Sequence, residues 1–283
     1  MQTVHTIAEL RQQVRDWRQA GLKVAFVPTM GNLHAGHISL VETARRHADK
    51  VVASIFVNPT QFGPSEDFDS YPRTLDADSA KLAAGHCDLL FAPSIDEMYP
   101  EKNRTWVDVD DLGDYLCGAS RPGHFRGVTT VVSKLFNIVQ PDVACFGEKD
   151  FQQLAIIRRM SQDLFFPIEI IAVATARESN GLAMSSRNGY LSAAQKEQAA
   201  ELYAVLQQLK SQIEAGERDY PELVKVSTKK LTQAGFSVDY LSINSASTLA
   251  PATLADQQLV VAVAAKLGTT RLIDNISLSI ACD

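Results

Sequence analysis

The feature that most constrains this chain is an alternation, through its first 176 residues, of short uninterrupted apolar runs with amphipathic stretches. The runs are LKVAFVPT (22–29), KVVASIFVN (50–58), CDLLFAP (87–93), PDVACFG (141–147) and IEIIAVAT (168–175). A continuous apolar run, without in–out alternation, is what a strand buried on both faces looks like. Between several of them lie HISLVETARRHADK (37–50), VTTVVSKLFNIV (128–139) and DFQQLAIIRRMSQDL (150–164), which are amphipathic at helical spacing. Strand–helix–strand units of this kind predict an α/β chain with a doubly wound, mostly parallel sheet. Ahead of them, residues 6–21 predict a helix with Ile7, Leu10, Val14 and Trp17 on one face and a Thr6–Glu9 capping box at its start. RTWVDVDDL (104–112) reads as one more strand, at an edge or an interface.

After about Ala176 the order changes. Helices over 193–215 and 220–234, the first capped by Ser192 and the second stopped at Gly235, precede three strand-like segments at 237–246, 258–268 and 270–280. Helices followed by strands predict a smaller α+β domain, so the chain divides into 1–176 and 177–283. At 283 residues there is material for two cores. The formal net charge of −6 argues against a nucleic-acid partner, which calls for a basic face. No apolar run approaches the ~18 residues of a membrane span. Cys87, Cys117, Cys145 and Cys282 are scattered, without a C-x-x-C pair, and read as reduced thiols of a cytoplasmic protein. Asn103 and Asn275 open N-x-S/T sequons, which are chance matches in such a protein.

The stretch PTMGNLHAGH (28–37) leaves the first buried run and enters a helix. Ligands of open α/β sheets sit beyond the carboxyl ends of the strands, where the strand order reverses. A helix N-terminus there offers unpaired N–H groups and a positive partial charge, which suit a phosphate. Gly31 and Gly36 remove side chains where backbone must approach a ligand. His34 and His37 are then placed to donate hydrogen bonds to phosphate oxygens as charge builds up in a transition state. Zinc is the weaker reading, because no further ligand at metal spacing accompanies the pair. Surface histidines in a turn are the plain alternative. Neither G-x-G-x-x-G nor G-x-x-x-x-G-K-S/T occurs, so a nucleotide would be held by another device.

H-x-G-H after a first strand resembles the nucleotidylyltransferase superfamily. Four more stretches narrow the likeness: IFVNPTQF (55–62), SRPGHFRGV (120–128), FGEKDFQQL (146–154) and GLAMSSRNGYL (181–191). Together with PTMGNLHAGH they resemble the pantoate–β-alanine ligase family over nearly the whole chain. The resemblance implies a Rossmann-like domain for nucleotide and pantoate over 1–176. It implies ATP-dependent joining of pantoate to β-alanine through a pantoyl adenylate, with AMP and pyrophosphate released. It also implies Mg²⁺ and a cytoplasmic homodimer with no nucleic-acid or membrane partner.

By the same resemblance, ATP contacts fall to Met30, Gly31, His34, His37, Gly147, Lys149, Asp150, Ala176, Met184, Ser185, Ser186 and Arg187. His34, His37, Lys149 and Arg187 form the catalytic set, and Gln61 and Gln153 are the pantoate-binding amides. The chemistry suits these residue types: a carboxylate attacking phosphorus is already ionised and needs alignment and charge neutralisation rather than a base. Neutral amides recognise a hydroxy acid without burying a charge. Several residues keep two readings. Lys149 contacts phosphate or is a solvated surface lysine; Asp150 caps a helix or contacts the ribose. Ser185, Ser186 and Arg187 meet phosphate oxygens or end a loop before a helix. Asn58 orients Gln61 or touches substrate, and Arg121 and His124 close over the phosphates or decorate a surface loop. Asp76 and Asp78 are candidates for Mg²⁺, with capping or solvated roles equally open, so the metal ligands stay unassigned. Two rival functions are another nucleotidylyltransferase, whose phosphorylated acceptor would want a basic pocket where Gln61 and Gln153 stand, and a non-catalytic nucleotide- or RNA-binding relative, which the acidic balance disfavours.

Overall fold

The computed structural model describes residues 1–64 and 66–280, so the Cys282 thiol lies outside the described residues. In chain order the first elements are β1 (Gln2–Val4), α1 (Ile7–Gln19), β2 (Val24–Thr29), α2 (Ala35–His47), β3 (Lys50–Ile55), α3 (Leu75–Ala84) and β4 (Leu89–Phe91). Next come α4 (Ile95–Met98), α5 (Leu116–Ser120), α6 (His124–Val139), β5 (Val143–Gly147), α7 (Phe151–Asp163) and β6 (Glu169–Val173). The last are α8 (Ala193–Ala199), α9 (Glu201–Glu214), α10 (Tyr220–Gln233), β7 (Ser237–Ser245), β8 (Gln258–Leu267) and β9 (Thr270–Ser279).

All five apolar runs of the first part form strands, and the three-residue β1, too short to show a period, joins them. The sheet is parallel throughout, in the order β1-β4-β3-β2-β5-β6. Strand order therefore reverses between β2 and β5. There the ladder is short: β2 pairs with β3 over six positions but with β5 only at Ala25–Val143 and Phe26–Ala144. Beyond these the two strands part, and Pro28, which has no N–H to give a ladder, lies in the part of β2 that has left β5. That parting is the crevice an open α/β sheet offers a ligand. Leu40, Val41 and Ala44 of α2 cover one face of the sheet against Ala25, Val27, Val51, Ala53 and Cys145. On the other face α1 packs with α6 and against β2, and Phe136 of α6 meets Phe146 of β5 edge-on, ring centres 6.3 Å apart. The Thr6–Glu9 capping box forms as the sequence predicts.

Residues 104–112 do not form the expected strand. Their backbone bonds to side chains of α6 instead: Val107 N–H donates to Thr130 Oγ1 (3.0 Å), and its carbonyl accepts from Thr129 Oγ1 (2.6 Å). Trp106 lies under the Arg126 guanidinium, 4.8 Å from the ring centre. The helix expected over 193–215 is broken at Ala200, whose N–H reaches back three residues to Glu197 and separates α8 from α9. Ser192 caps α8 in a box with Gln195, and Gly235 (φ +88°) follows α10.

The described residues form two compact units: 1–109 with 121–148 and 156–174, and 110–120 with 149–155 and 175–280. A single cut at 176 would leave 110–120 and 149–155 with the first. Buried Gln152 shows what ties these two segments together. Its Nε2 donates to the carbonyls of Leu112 (2.8 Å) and Tyr115 (2.7 Å), and its Oε1 accepts from Cys117 N–H (2.9 Å). The core of the second unit is an antiparallel sheet, β7-β8-β9, whose β8 residues Leu259, Val261 and Val263 meet Leu202, Leu206 and Leu209 of α9. Cys87, Cys117 and Cys145 are buried unpaired thiols, and burial pushes Cys87 and Cys145 up to about 11. No helix among the described residues is long and apolar enough to cross a membrane.

One close approach within the first unit fixes the loop after β3. A Cβ on Gly127 of α6 would lie 2.3 Å from the Thr60 carbonyl oxygen and 2.7 Å from Gln61 Cα. Gly127→Ala is therefore expected to destabilise the protein by about 1–3 kcal/mol, as overpacking against backbone does. Urea unfolding checks this, and a midpoint equal to that of the parent protein would show that the helix does not seat on this loop.

Candidate active site

The site residues of the first unit gather at the carboxyl ends of β2 and β3. Gly31 (φ +86°) and Asn32 (φ +50°) take left-handed conformations and turn the chain from β2 into α2. A side chain at Gly31 would crowd Ile55 Cγ2 (3.1 Å) and Asp78 Oδ2 (3.2 Å). His34 is the N-cap of α2: its Nδ1 accepts from Gly36 N–H (3.2 Å), while His37 Nδ1 accepts from His34 N–H (3.3 Å). Two histidines thus do what Ser and Glu do in an ordinary capping box. With each Nδ1 an acceptor, the proton of each neutral ring sits on Nε2. The rings are 4.1 Å apart between centres and tilted by 51°.

This turn is braced from α3. Asp78, 0% exposed, accepts Asn32 N–H through Oδ2 (2.8 Å), Leu33 N–H through Oδ1 (2.8 Å) and the Thr74 hydroxyl (3.0 Å). Lys81, one turn further on, donates to the Leu33 carbonyl (2.7 Å). The carboxylate that the sequence offered to Mg²⁺ is thus taken up by backbone, and Asp76 is exposed in the first turn of α3. Among the described residues no group of three or more His, Cys, Asp or Glu could hold a metal ion. The described residues therefore offer no preformed cage for a metal of the chain's own.

Gln61 and Asn58 lie in the turn that Gly127 approaches. Burial pushes the Tyr99 phenol up, keeping it a donor, and it bonds Asn58 Oδ1 (2.8 Å). The Gly127 carbonyl, which can only accept, fixes the sense of the amide: Asn58 Nδ2 donates to it (3.2 Å) and to Gln61 Oε1 (3.0 Å), leaving Oδ1 to the Tyr99 hydroxyl. Gln61 is left with its NH₂ as the presenting end, 3.2 Å from Met30 Sδ. Of the two readings of Asn58, this geometry favours orientation of Gln61. Tyr99 is a contributor the sequence did not reveal, because no local pattern links it to a turn some forty residues earlier.

Arg121 and His124 are engaged as well. Arg121 forms a two-pronged pair with Glu66, both bonds 2.6 Å, and donates to His124 Nε2 (2.9 Å). His124 in turn donates from Nδ1 to the Gln61 carbonyl (2.8 Å). Burial works against the Glu66 charge, but the hydrogen bonds and charge of Arg121 hold its carboxyl down to about 2. In this structure the pair braces the Gln61 turn.

The second unit carries the remaining residues. Lys149 sits in a 3₁₀ turn, Glu148–Asp150, just after Gly147 ends β5; its Nζ is 3.8 Å from Asp150, and its carbonyl accepts from Asn275 Nδ2 (2.8 Å). Half-buried Gln153 is in the first turn of α7, next to Gln152. Met184 N–H bonds the Ala176 carbonyl (2.9 Å), which ties those two residues together. Ser185 caps the 3₁₀ turn Ser186–Tyr190, its hydroxyl accepting from Arg187 N–H (3.3 Å). That hydroxyl therefore has a local task beside any ligand.

Residues 2–277 match the family model described as pantoate-β-alanine ligase. The chain is 65% identical to the pantothenate synthetase of Alcanivorax borkumensis over 284 residues, the whole of both chains. It is 58% identical to that of Shewanella loihica, covering 98% of this chain and 99% of the other. Among solved structures, pantothenate synthetase from Thermus thermophilus superposes with a TM-score of 0.90 at 47% identity, covering 98% of this chain and 99% of that one. The pantoate-β-alanine ligase of Francisella tularensis, complexed with β-γ ATP and β-alanine, gives 0.83 at 34% identity, with 98% and 97% covered.

Two outcomes follow from the geometry of the first unit. Asp78→Ala strands two backbone N–H groups and is expected to cost about 2–3 kcal/mol, read by urea unfolding; a cost near zero would mean that the turn holds itself. The Glu66–Arg121 pair acts through a depressed carboxyl pKa, so its contribution is present above the ordinary value of 4.5 and lost as pH falls from there through about 2. Thermal unfolding of the parent protein and Glu66→Gln should differ at pH 6 and converge across that window. A gap that stays constant down to pH 2 would rule the pair out as its source.

Proposed function

The chain belongs to the pantoate–β-alanine ligase family, and we propose that it condenses the two substrates in two steps at the residues just described. As a ligase of this family it joins pantoate to β-alanine using ATP. In the first step the pantoate carboxylate attacks the α-phosphorus of MgATP; the bond to the β-phosphate breaks, and pyrophosphate leaves with pantoyl adenylate formed. In the second step the free amine of β-alanine attacks the acyl carbon, AMP leaves with the bonding pair, and the amine gives up a proton.

The observation that carries this reading is the reciprocal histidine cap at the parting of β2 and β5. It puts two Nε2–H donors at a helix N-terminus, a setting for anionic oxygens and not for a nucleophile or a metal. His34 and His37 serve the ATP phosphates, with Met30 and Gly31 beside them. Gly147, Lys149, Asp150, Ala176, Met184, Ser185, Ser186 and Arg187 are the nucleotide residues that follow β5 and β6 in the chain. Lys149 and Arg187 supply the positive charge for the leaving pyrophosphate. Gln61, its amide oriented by Asn58, donates to a pantoate oxygen, and Gln153 is the second amide. A neutral amide there speaks against a phosphorylated acceptor. Mg²⁺ comes as part of the nucleotide, held by its phosphates and waters. The buried, unpaired thiols suit a reducing cytoplasm, and family membership favours a homodimer.

Rapid-quench assay with ATP, Mg²⁺ and pantoate alone is expected to release about one pyrophosphate per active site, with β-alanine required only for turnover. His37→Ala and Lys149→Ala should each stay folded and slow that burst at least ~100-fold, the usual scale for losing a transition-state charge partner. Absence of pyrophosphate until β-alanine is added, with no adenylate trapped, refutes the two-step scheme.

A further inference from the structure

The C-terminal sheet carries a buried polar cluster that the sheet itself does not require. Asp274 and Asn275 are neighbours on β9, 4% and 8% exposed. Asp274 takes both prongs of the Arg177 guanidinium (2.7 and 2.9 Å) and accepts Asn275 N–H (2.8 Å). Arg177 also lies 3.5 Å from the centre of the Tyr203 ring and donates to the Gly181 carbonyl (3.1 Å). It is bridged by backbone to Ala183, the residue before Met184. Asn275 donates from Nδ2 to the Lys149 carbonyl (2.8 Å). A buried ion pair is no more stabilising than well-packed apolar residues, so packing alone does not account for this one. What it does have is reach within the second unit: two consecutive residues of one strand hold the Lys149 turn and, through Arg177, the approach to the 184–187 loop.

We propose that Asn275 is a positioning residue for adenylation, fixing through the Lys149 carbonyl the backbone from which the Lys149 side chain departs. This role rests on Lys149 serving the ATP phosphates. It also explains a residue that in sequence shows only as the first position of an N-I-S sequon: its amide is buried against Lys149 and is no acceptor for a glycan.

The test is a double-mutant cycle on adenylate formation in the full-length protein. Asn275→Ala and Asn275→Ser both remove the donor that reaches Lys149, and the milder serine change serves if the alanine variant does not fold. Each is expected to slow the pyrophosphate burst on the order of 10- to 100-fold, as small displacements of a catalytic group do, while the KM for pantoate stays within about twofold. In a Lys149→Ala background the same substitutions should cost less than about twofold, because the side chain they position is gone. An equal loss in both backgrounds, or a pantoate KM that rises with the ATP KM, would mark Asn275 as a general structural residue and overturn the proposal. Full activity of Lys149→Ala alone would retire the reading of that lysine, and the role of Asn275 with it. That result is read from the single variant before any Asn275 comparison is made.

Discussion

The carboxylate of Asp78 is the constraint on which the first half of the site depends. Burying an ionised group is costly unless its acceptor sites are filled. Here Asn32 N–H, Leu33 N–H and the Thr74 hydroxyl fill them, at 2.8–3.0 Å. The same bonds decide the backbone. They reward the left-handed conformation at Asn32, which costs a non-glycine residue energy in isolation, and Lys81 closes the clamp on the Leu33 carbonyl. Once Leu33 is fixed, His34 has one place to go, the N-cap of α2, and His37 follows three residues later on the first turn. A buried brace thus sets where both imidazoles stand.

The amide side obeys the same logic with neutral groups. An amide can be flipped at little local cost, so its sense has to come from a neighbour that can only donate or only accept. The Gly127 carbonyl, which can only accept, supplies that sense to Asn58, with the Tyr99 hydroxyl on the amide's oxygen, and Asn58 passes it to Gln61. Arg121, held by Glu66, makes His124 accept at Nε2 and donate at Nδ1, and the donated bond lands on the carbonyl of the same Gln61. Gln61 is therefore held at both ends of the residue. If Gln61 meets pantoate as proposed, specificity for a hydroxy acid follows, because a fixed donor left unpaired by the wrong substrate is penalised.

Much of this architecture was legible in the sequence because parallel strands and capped helices write themselves locally. The five apolar runs, the Thr6 and Ser192 caps and the histidine turn all rest on near-neighbour patterns. What escaped depends on contacts distant in sequence. RTWVDVDDL has the composition of a strand, but Thr129 and Thr130 satisfy its backbone from twenty-odd residues away. Asp78 looked like a metal candidate since an acidic residue in the right region suggests one. Only the fold shows that Asn32 and Leu33 already occupy it. Gly127 reads as an ordinary helix glycine until the Thr60 carbonyl is seen against it. Residues 110–120 and 149–155 belong with the C-terminal sheet through contacts such as those of Gln152, which no composition shift announces.

The histidine cap also bears on which kind of help the imidazoles give. In either ring, acting as a base would mean accepting a proton at Nδ1 and surrendering a bond that forms the start of α2. The other nitrogen of each neutral ring already carries its proton. The pair is thus built to donate, and donation is what an attack on phosphorus by an ionised carboxylate calls for, since no proton has to be removed from the nucleophile. In the two-step scheme proposed above, the protons that leave belong to the amine of β-alanine: its ammonium loses one to become the nucleophile and the attacking nitrogen gives up another as the amide forms. On that scheme, dependence on pH in the amine step belongs to the substrate rather than to His34 or His37, and the enzyme's share of the chemistry is alignment and meeting negative charge where it grows.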